Sequence, residues 1–313
     1  MTLFRSMLYF PANSVRMTVN AATLPVDAVI FDLEDAVSLD DKETARILAR
    51  DHVKLMKERG IHTIVRANSL ATELTTEDLD TVVVNGLDGV MLAKTETASD
   101  VTELSGMLDN VEKHSGLTPN SIEVIPLIES AKGVLNSFQI ASSSSRVVAV
   151  AFGAGDYYRD LGGDITAISR EEVELLYARS CIVNSSRAAG VPAIDTPFLG
   201  LLTDREAFTR EVKLAVQLGF KGKQCIHPSQ IETVNELFSP SQQEIDRARR
   251  IVKAFEDAQA RGLGAISFEG KMVDTMTFRQ AKETLASTQA IEEKTNTKLR
   301  RSHVSLGEIF LRE

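Results

Sequence analysis

Glu129 and Asp156 each follow closely on an apolar run, and two carboxylates placed this way make an oxygen-rich site that suits Mg2+. Each reads equally well as a helix N-cap, because Glu129 precedes Ser130 and Asp156 precedes a helical stretch. Arg66 closes another run, Val65-Arg66-Ala67-Asn68. Its guanidinium offers two parallel donors to a carboxylate or an enolate oxygen, or else a salt bridge to Asp32 or Glu34. Further runs end Asp32-Leu33-Glu34-Asp35, Ala93-Lys94 and His227-Pro228. Polar residues gathered at strand ends are how parallel α/β folds build their sites.

Other chemistries are poorly served. Gly153-Ala154-Gly155 opens like a dinucleotide-binding turn, but the third glycine position holds Tyr158. A phosphate loop ending in Gly222-Lys223 needs glycine at 217, where Gln217 stands. The five histidines are scattered, and neither His-Glu-x-x-His nor Gly-x-Ser-x-Gly occurs. Lys94 could form a Schiff base, but a lysine at a strand end also serves as an ion-pair partner.

The apolar runs predict eight strands: Ser6–Phe10, Ala28–Leu33, Thr63–Ala67, Gly89–Ala93, Glu123–Ile128, Val147–Phe152, Val191–Ile194 and Lys223–Ile226. Most are nearly continuous in Val, Ile, Leu, Ala and Phe, as in parallel strands covered on both faces. Helical stretches lie between them. Asp41–Arg59 carries apolar residues at i+3/i+4 spacing and stops at Gly60. Ser169–Ala189 and Thr203–Leu218 each open with a hydroxyl three residues before Glu, at Glu172 and Glu206, and each stops at glycine. Strand and helix alternating so evenly favour a closed (β/α)8 TIM barrel over an open doubly wound sheet. The barrel is expected over residues 1–240. C-terminal helices and a lid with Glu269-Gly270-Lys271-Met272-Val273-Asp274 follow over 241–294, and a tail over 295–313.

A net charge of −9 argues against a nucleic-acid surface. No apolar run approaches the ~18 residues of a membrane span, and Met7–Phe10, stopped by Pro11, reads as a strand rather than a signal peptide. Cys181 and Cys225 stand in unrelated contexts, which fits a reduced, cytoplasmic protein.

Seven segments in order give the chain a family likeness: Arg5-Ser6-Met7-Leu8-Tyr9-Phe10-Pro11, Asp32-Leu33-Glu34-Asp35-Ala36-Val37, Val65-Arg66-Ala67-Asn68, Ile128-Glu129-Ser130-Ala131, Phe152-Gly153-Ala154-Gly155-Asp156, Lys223-Gln224-Cys225-Ile226-His227-Pro228 and the lid motif. The chain resembles the citrate lyase beta-subunit-like group of the HpcH/HpaI aldolase superfamily, which includes malyl-CoA and citramalyl-CoA lyases. The resemblance implies a TIM barrel with a C-terminal lid, assembled as a homotrimer or hexamer with sites shared between subunits. It implies that Glu129 and Asp156 bind Mg2+, that Glu34 and Asp35 hold the ion's waters, and that Arg66 sits over the reacting oxygens. Asp274 would reach a neighbouring subunit's site. Arg16, helped by Arg5 and Lys94, would contact the CoA phosphates, and Pro228 and Ile226 would border the thioester. The dedicated citrate lyase beta subunits tend to carry Asn-Pro in place of His227-Pro228 and Asn-Gly-Lys-Met in place of Glu269-Gly270-Lys271-Met272, which points toward the stand-alone lyases.

The implied reaction is Mg2+-dependent retro-Claisen cleavage of a 3-hydroxy-3-carboxyl acyl-CoA (citramalyl-, malyl- or citryl-CoA) to acetyl-CoA and a 2-oxo acid. The alternatives are a malyl-CoA thioesterase, a class II 2-oxo-acid aldolase on the same fold, or the beta subunit of a citrate lyase complex.

Overall fold

The eight apolar runs become eight parallel strands in a computed structural model that describes residues 2–301, with side chains through residue 296. They are β1 (Ser6–Pro11), β2 (Ala28–Asp32), β3 (His62–Ala67), β4 (Gly89–Leu92), β5 (Glu123–Ile128), β6 (Val150–Phe152), β7 (Ala193–Asp195) and β8 (Gly222–Cys225). Each pairs with the next, and β8 pairs with β1 through Ser6–Lys223, Met7–Gln224 and Leu8–Cys225, which closes the (β/α)8 barrel. The closing seam depends on Gly222, where an added Cβ would lie 1.7 Å from the carbonyl oxygen of Phe4.

Strand alternation divides the apolar residues between two cores. Met7, Ile30, Ile64, Met91, Ile125, Leu127, Ala151 and Ile194 pack together inside the barrel. Leu8, Val29, Phe31, Val65, Val90, Val124, Val150 and Phe152 face the surrounding helices. Those helices are α1 (Val15–Ala21), α2 (Lys42–Glu58), α3 (Thr75–Val82), α4 (Ala98–His114), α5 (Ala131–Leu135), α6 (Ser137–Ala141), α7 (Ala154–Asp160), α8 (Val173–Ala189), α9 (Arg205–Leu218) and α10 (Ile231–Leu237).

The C-terminal part builds its own small core. Helix α11 (Gln242–Gln259), a hairpin of β9 (Ile266–Phe268) and β10 (Lys271–Val273), and α12 (Thr275–Arg301) pack around Ile251, Phe255, Val273 and Ala281. Lys294 on α12 pairs with Asp27 (3.3 Å) at the N-terminal ends of the barrel strands. The boundary expected at 294/295 falls inside α12, and residues 302–313 of the expected tail lie outside the described residues.

Several element ends differ from expectation. Val147 makes an isolated bridge to Val124, and β6 proper begins at Val150. Helix α8 starts at Val173, because Glu172 adopts a left-handed backbone (φ +50°) and sends its carboxylate to Arg179. Ser169 pairs with Glu174 instead, at 2.8 Å. Thr203 does not cap α9 either; the carboxylate of Asp204 accepts the N–H of Ala207 at 2.9 Å.

Candidate active site

In a parallel barrel the C-terminal strand ends form one rim, and here that rim gathers most of the singled-out residues. Asp32 and Arg66 end adjacent strands in register. The guanidinium Nε donates to Asp32 Oδ1 at 2.7 Å and Nη2 to Oδ2 at 2.6 Å, while Nη1 lies 3.2 Å from Glu34 Oε2. Both salt bridges open to Arg66 in the sequence are therefore made. They hold the guanidinium pKa well above its usual value against the opposing effect of burial. It also lies 5.1 Å from the Tyr9 ring centroid, a cation–π contact.

Glu34 joins this pair to the next strand end. Its Oε2 accepts the Asp35 N–H at 3.1 Å and its Oε1 accepts Lys94 Nζ at 2.6 Å. Lys94 Nζ stands 3.8 Å from exposed Asp35. The ion pair with Glu34 raises the Lys94 pKa, which disfavours a Schiff-base role by keeping the amine protonated. The Lys94 backbone turns left-handed (φ +54°), and its N–H donates to Glu129 Oε2 at 2.9 Å.

Glu129 follows β5 and is buried, and Asp156 stands in the first turn of α7. Neither is a helix cap: Ser130 caps α5 and Gly153 occupies the N-cap of α7. Desolvation pushes the Glu129 carboxyl up to about 8, opposed by Arg66 and the Lys94 N–H, and reinforced by Glu34 and Asp156. Gly153 makes room for it: a Cβ there would sit 2.5 Å from Glu129 Oε1. Asp156 Oδ1 accepts a hydrogen bond from exposed Arg159 at 2.8 Å. Two hard carboxylates without soft donors fit Mg2+, which keeps several waters and needs few protein ligands.

Arg16 is exposed in the first turn of α1, on the same side as the strand ends. Pro228, half-buried, opens a turn after β8 beside exposed Ile226. Arg5 is a correction. It precedes β1, so it belongs to the opposite, N-terminal end of the barrel, where Nε and Nη2 bind Asp27 at 2.8 and 2.9 Å and Nη1 donates to Ser239. Asp274 is not brought to the rim within this chain. Its carboxylate accepts the Thr277 N–H at 2.9 Å at the start of α12, which lowers its pKa.

Sequence reasoning missed several supports. Tyr9 and Gln224 read from the sequence as plain strand residues, yet the phenol donates to Gln224 Oε1 at 2.8 Å inside the barrel. Gln224 Nε2 in turn donates to the carbonyls of Phe152 and Asp195 at 2.8 and 3.0 Å, tying β8 to β6 and β7. A glutamine inside an apolar run was the available signal. Thr196, after β7, accepts the Ala154 N–H at 2.9 Å and so holds the start of the helix carrying Asp156.

Comparison with known proteins gives a consistent result. The family model described as HpcH/HpaI aldolase/citrate lyase matches residues 5–228. The chain is 40% identical to citrate lyase subunit beta of Escherichia coli K12, over 90% of this chain and 92% of that one. It is 32% identical to L-malyl-CoA/beta-methylmalyl-CoA lyase of Cereibacter sphaeroides, over 88% and 92%. The crystal structure of CitE from Mycobacterium tuberculosis, in complex with magnesium, acetoacetate and coenzyme A, superposes with a TM-score of 0.69 at 30% identity, over 91% of this chain and 98% of that one. His227-Pro228 and Glu269-Gly270 pointed toward the stand-alone lyases, whereas identity is higher to the citrate lyase beta subunit.

Proposed function

From the premise that this chain belongs to the HpcH/HpaI aldolase/citrate lyase family, we propose that it is a Mg2+-dependent carbon–carbon lyase. Its substrate would be a 3-hydroxy-3-carboxyl acyl-CoA such as citramalyl-, malyl- or citryl-CoA, and its products acetyl-CoA and a 2-oxo acid. The observation that carries this is the buried carboxylate of Glu129, set on one rim with Asp156 and the doubly anchored Arg66. The magnesium and coenzyme A in the related CitE structure support the same reading.

Glu129 and Asp156 would hold the ion, with Glu34 and Asp35 accepting hydrogen bonds from its waters. Bound Mg2+ would supply a Lewis acid for the substrate's hydroxyl and carboxylate oxygens, lowering the barrier to carbonyl formation. Arg66 stays cationic and is fixed by Asp32, so its charge is already aimed when an enolate oxygen develops; such preorganised charge is a large term in catalysis. In cleavage the substrate hydroxyl would give its proton to solvent water as the carbonyl forms, and the enolate carbon would take one from Asp274 of a neighbouring subunit, itself protonated from solvent. Synthesis would run both transfers in reverse. Arg16, Lys94 and Pro228 would border the CoA moiety.

A homotrimer or hexamer fits the placement of Asp274 away from its own rim and the exposed Leu135, Val173 and Tyr177 on α5 and α8. A reduced cytoplasmic setting fits the two free cysteines. Among the described residues no helix is long and apolar enough to cross a membrane. A second reading, the beta subunit of a citrate lyase complex, draws on the 40% identity to the E. coli subunit against 32% to the malyl-CoA lyase.

The test is Asp156→Ala. Mg2+-dependent turnover should vanish while circular dichroism and Tm stay near wild type. Unchanged turnover would contradict the metal assignment.

A further inference from the structure

Behind the rim lies a buried polar chain centred on Lys42, the first residue of α2. An ammonium has three N–H donors, and Lys42 uses all of them. Nζ donates to the carbonyl of Leu33 at 2.5 Å, to the carbonyl of Glu34 at 2.8 Å and to Asn68 Oδ1 at 2.8 Å. Asn68 Nδ2 donates to the same Leu33 carbonyl at 3.1 Å and to Asp78 Oδ2 at 2.7 Å. Arg46 Nε anchors Asp78 from the far side at 2.7 Å. Lys42, Asn68, Asp78 and Arg46 are all at least nine-tenths buried.

Burial lowers the Lys42 pKa, and the nearby carboxylates of Asp78, Asp32, Glu34 and Asp35 offset it only in part. An ammonium held here by three neutral oxygens is therefore unfavourable compared with a packed apolar side chain. Stability alone does not explain the residue, but the turn it grips does. The Glu34–Ala36 turn is held from the rim side by Asp32, whose carboxylate accepts the N–H groups of Glu34 and Ala36 at 2.9 and 3.1 Å. From behind it is held by Lys42. Between these two grips the Glu34 carboxylate is fixed where it meets both Arg66 and Lys94.

We propose that Lys42 is a positioning residue: through the Leu33 and Glu34 carbonyls it sets the turn that places Glu34, and thereby the alignment of Arg66 and Lys94. Its relevance to turnover rests on the reading of this rim as the active site; its effect on the turn does not. A misplacement of about 1 Å at a reacting centre can cost a rate of order a hundredfold.

The test uses Lys42→Ala in the full chain, with Lys42→Met as the companion variant should alanine not fold. A groove of about 750 Å3 between α2 and α3 has Lys42 in its lining, giving a small amine a path to the vacated position. Amide hydrogen exchange at Glu34, Asp35 and Ala36 should accelerate at least about tenfold while exchange in β2 and α2 stays unchanged. Ethylamine should slow it again in the alanine variant and leave the methionine variant unaffected. Turnover of a CoA thioester should fall by about a hundredfold and recover in part with ethylamine. Exchange at the turn equal to wild type would overturn the proposal. So would acceleration spread evenly through α2 and β2, which marks plain structural support. If the wild-type protein cleaves no CoA thioester, the proposed function fails on its own, and the exchange data still decide the role of Lys42.

Discussion

Gly153→Ala separates a packing requirement from a loose glycine-rich turn. Gly153 has φ −111° and ψ 87°, a region open to any L-residue, so alanine adds no backbone strain. The contact alone decides. A Cβ would lie 2.5 Å from Glu129 Oε1 and 2.6 Å from its Cγ, against about 3.4 Å for ordinary contact, so the carboxylate must retreat by about 0.9 Å. If Glu129 holds its place, overpacking should destabilise the fold by about 1–3 kcal/mol. If it yields, it loses the Lys94 N–H and its position beside Asp156, and Mg2+-dependent turnover should fall by about a hundredfold. The control is Gly155→Ala, two residues on, where the nearest atom is Leu199 Cδ2 at 3.8 Å. Urea denaturation and Mg2+-dependent turnover read both branches. Wild-type values in both for Gly153→Ala would refute the placement of Glu129.

The remaining expectations concern protons and subunits. Because burial holds the Glu129 carboxyl up to about 8, the metal-free protein carries a proton there at pH 7. Mg2+ needs the ionised form, so binding should release a proton and tighten as pH rises toward about 8, and Glu129→Gln should abolish both effects. Calorimetry in buffers of different ionisation enthalpy measures this, and proton-neutral binding in the wild type would contradict it. Mixing Arg66→Ala with Asp274→Ala protein should restore activity that neither variant has alone, by pairing an intact rim with an intact lid. No recovery after demonstrated subunit exchange would count against a lid acting across the interface.

The barrel was legible because parallel strands buried on both faces are mostly apolar, and most of the eight runs are nearly continuous in Val, Ile, Leu, Ala and Phe, β8 with its Lys223 and Gln224 being the least so. Their ends were less so. Ser169 and Glu172 have capping-box spacing, but Arg179, fully buried among Glu172, Asp195 and Glu211, draws Glu172 out of that role. That competition is tertiary and invisible to local spacing. The rim carboxylates and Arg66 were readable from their positions after the runs. Arg5 was misplaced by following a motif rather than a direction, since a residue before a parallel strand lies at the opposite end from one after it. Tyr9 acts through a bond to a strand some two hundred residues away, and Lys42 through a turn eight or nine residues before it and Asn68 on the next strand end, and no local pattern marks either. Gln224 shows only as a polar residue within a strand.

The central claim is that this rim breaks a carbon–carbon bond in a CoA thioester. Purified protein with Mg2+ should be offered citramalyl-, malyl- and citryl-CoA separately, with products identified by mass. The expected result is acetyl-CoA and a 2-oxo acid in equal amounts from at least one of them, lost when Mg2+ is chelated. Free CoA with the hydroxy acid carbon skeleton intact, or no turnover of any of the three, would contradict it.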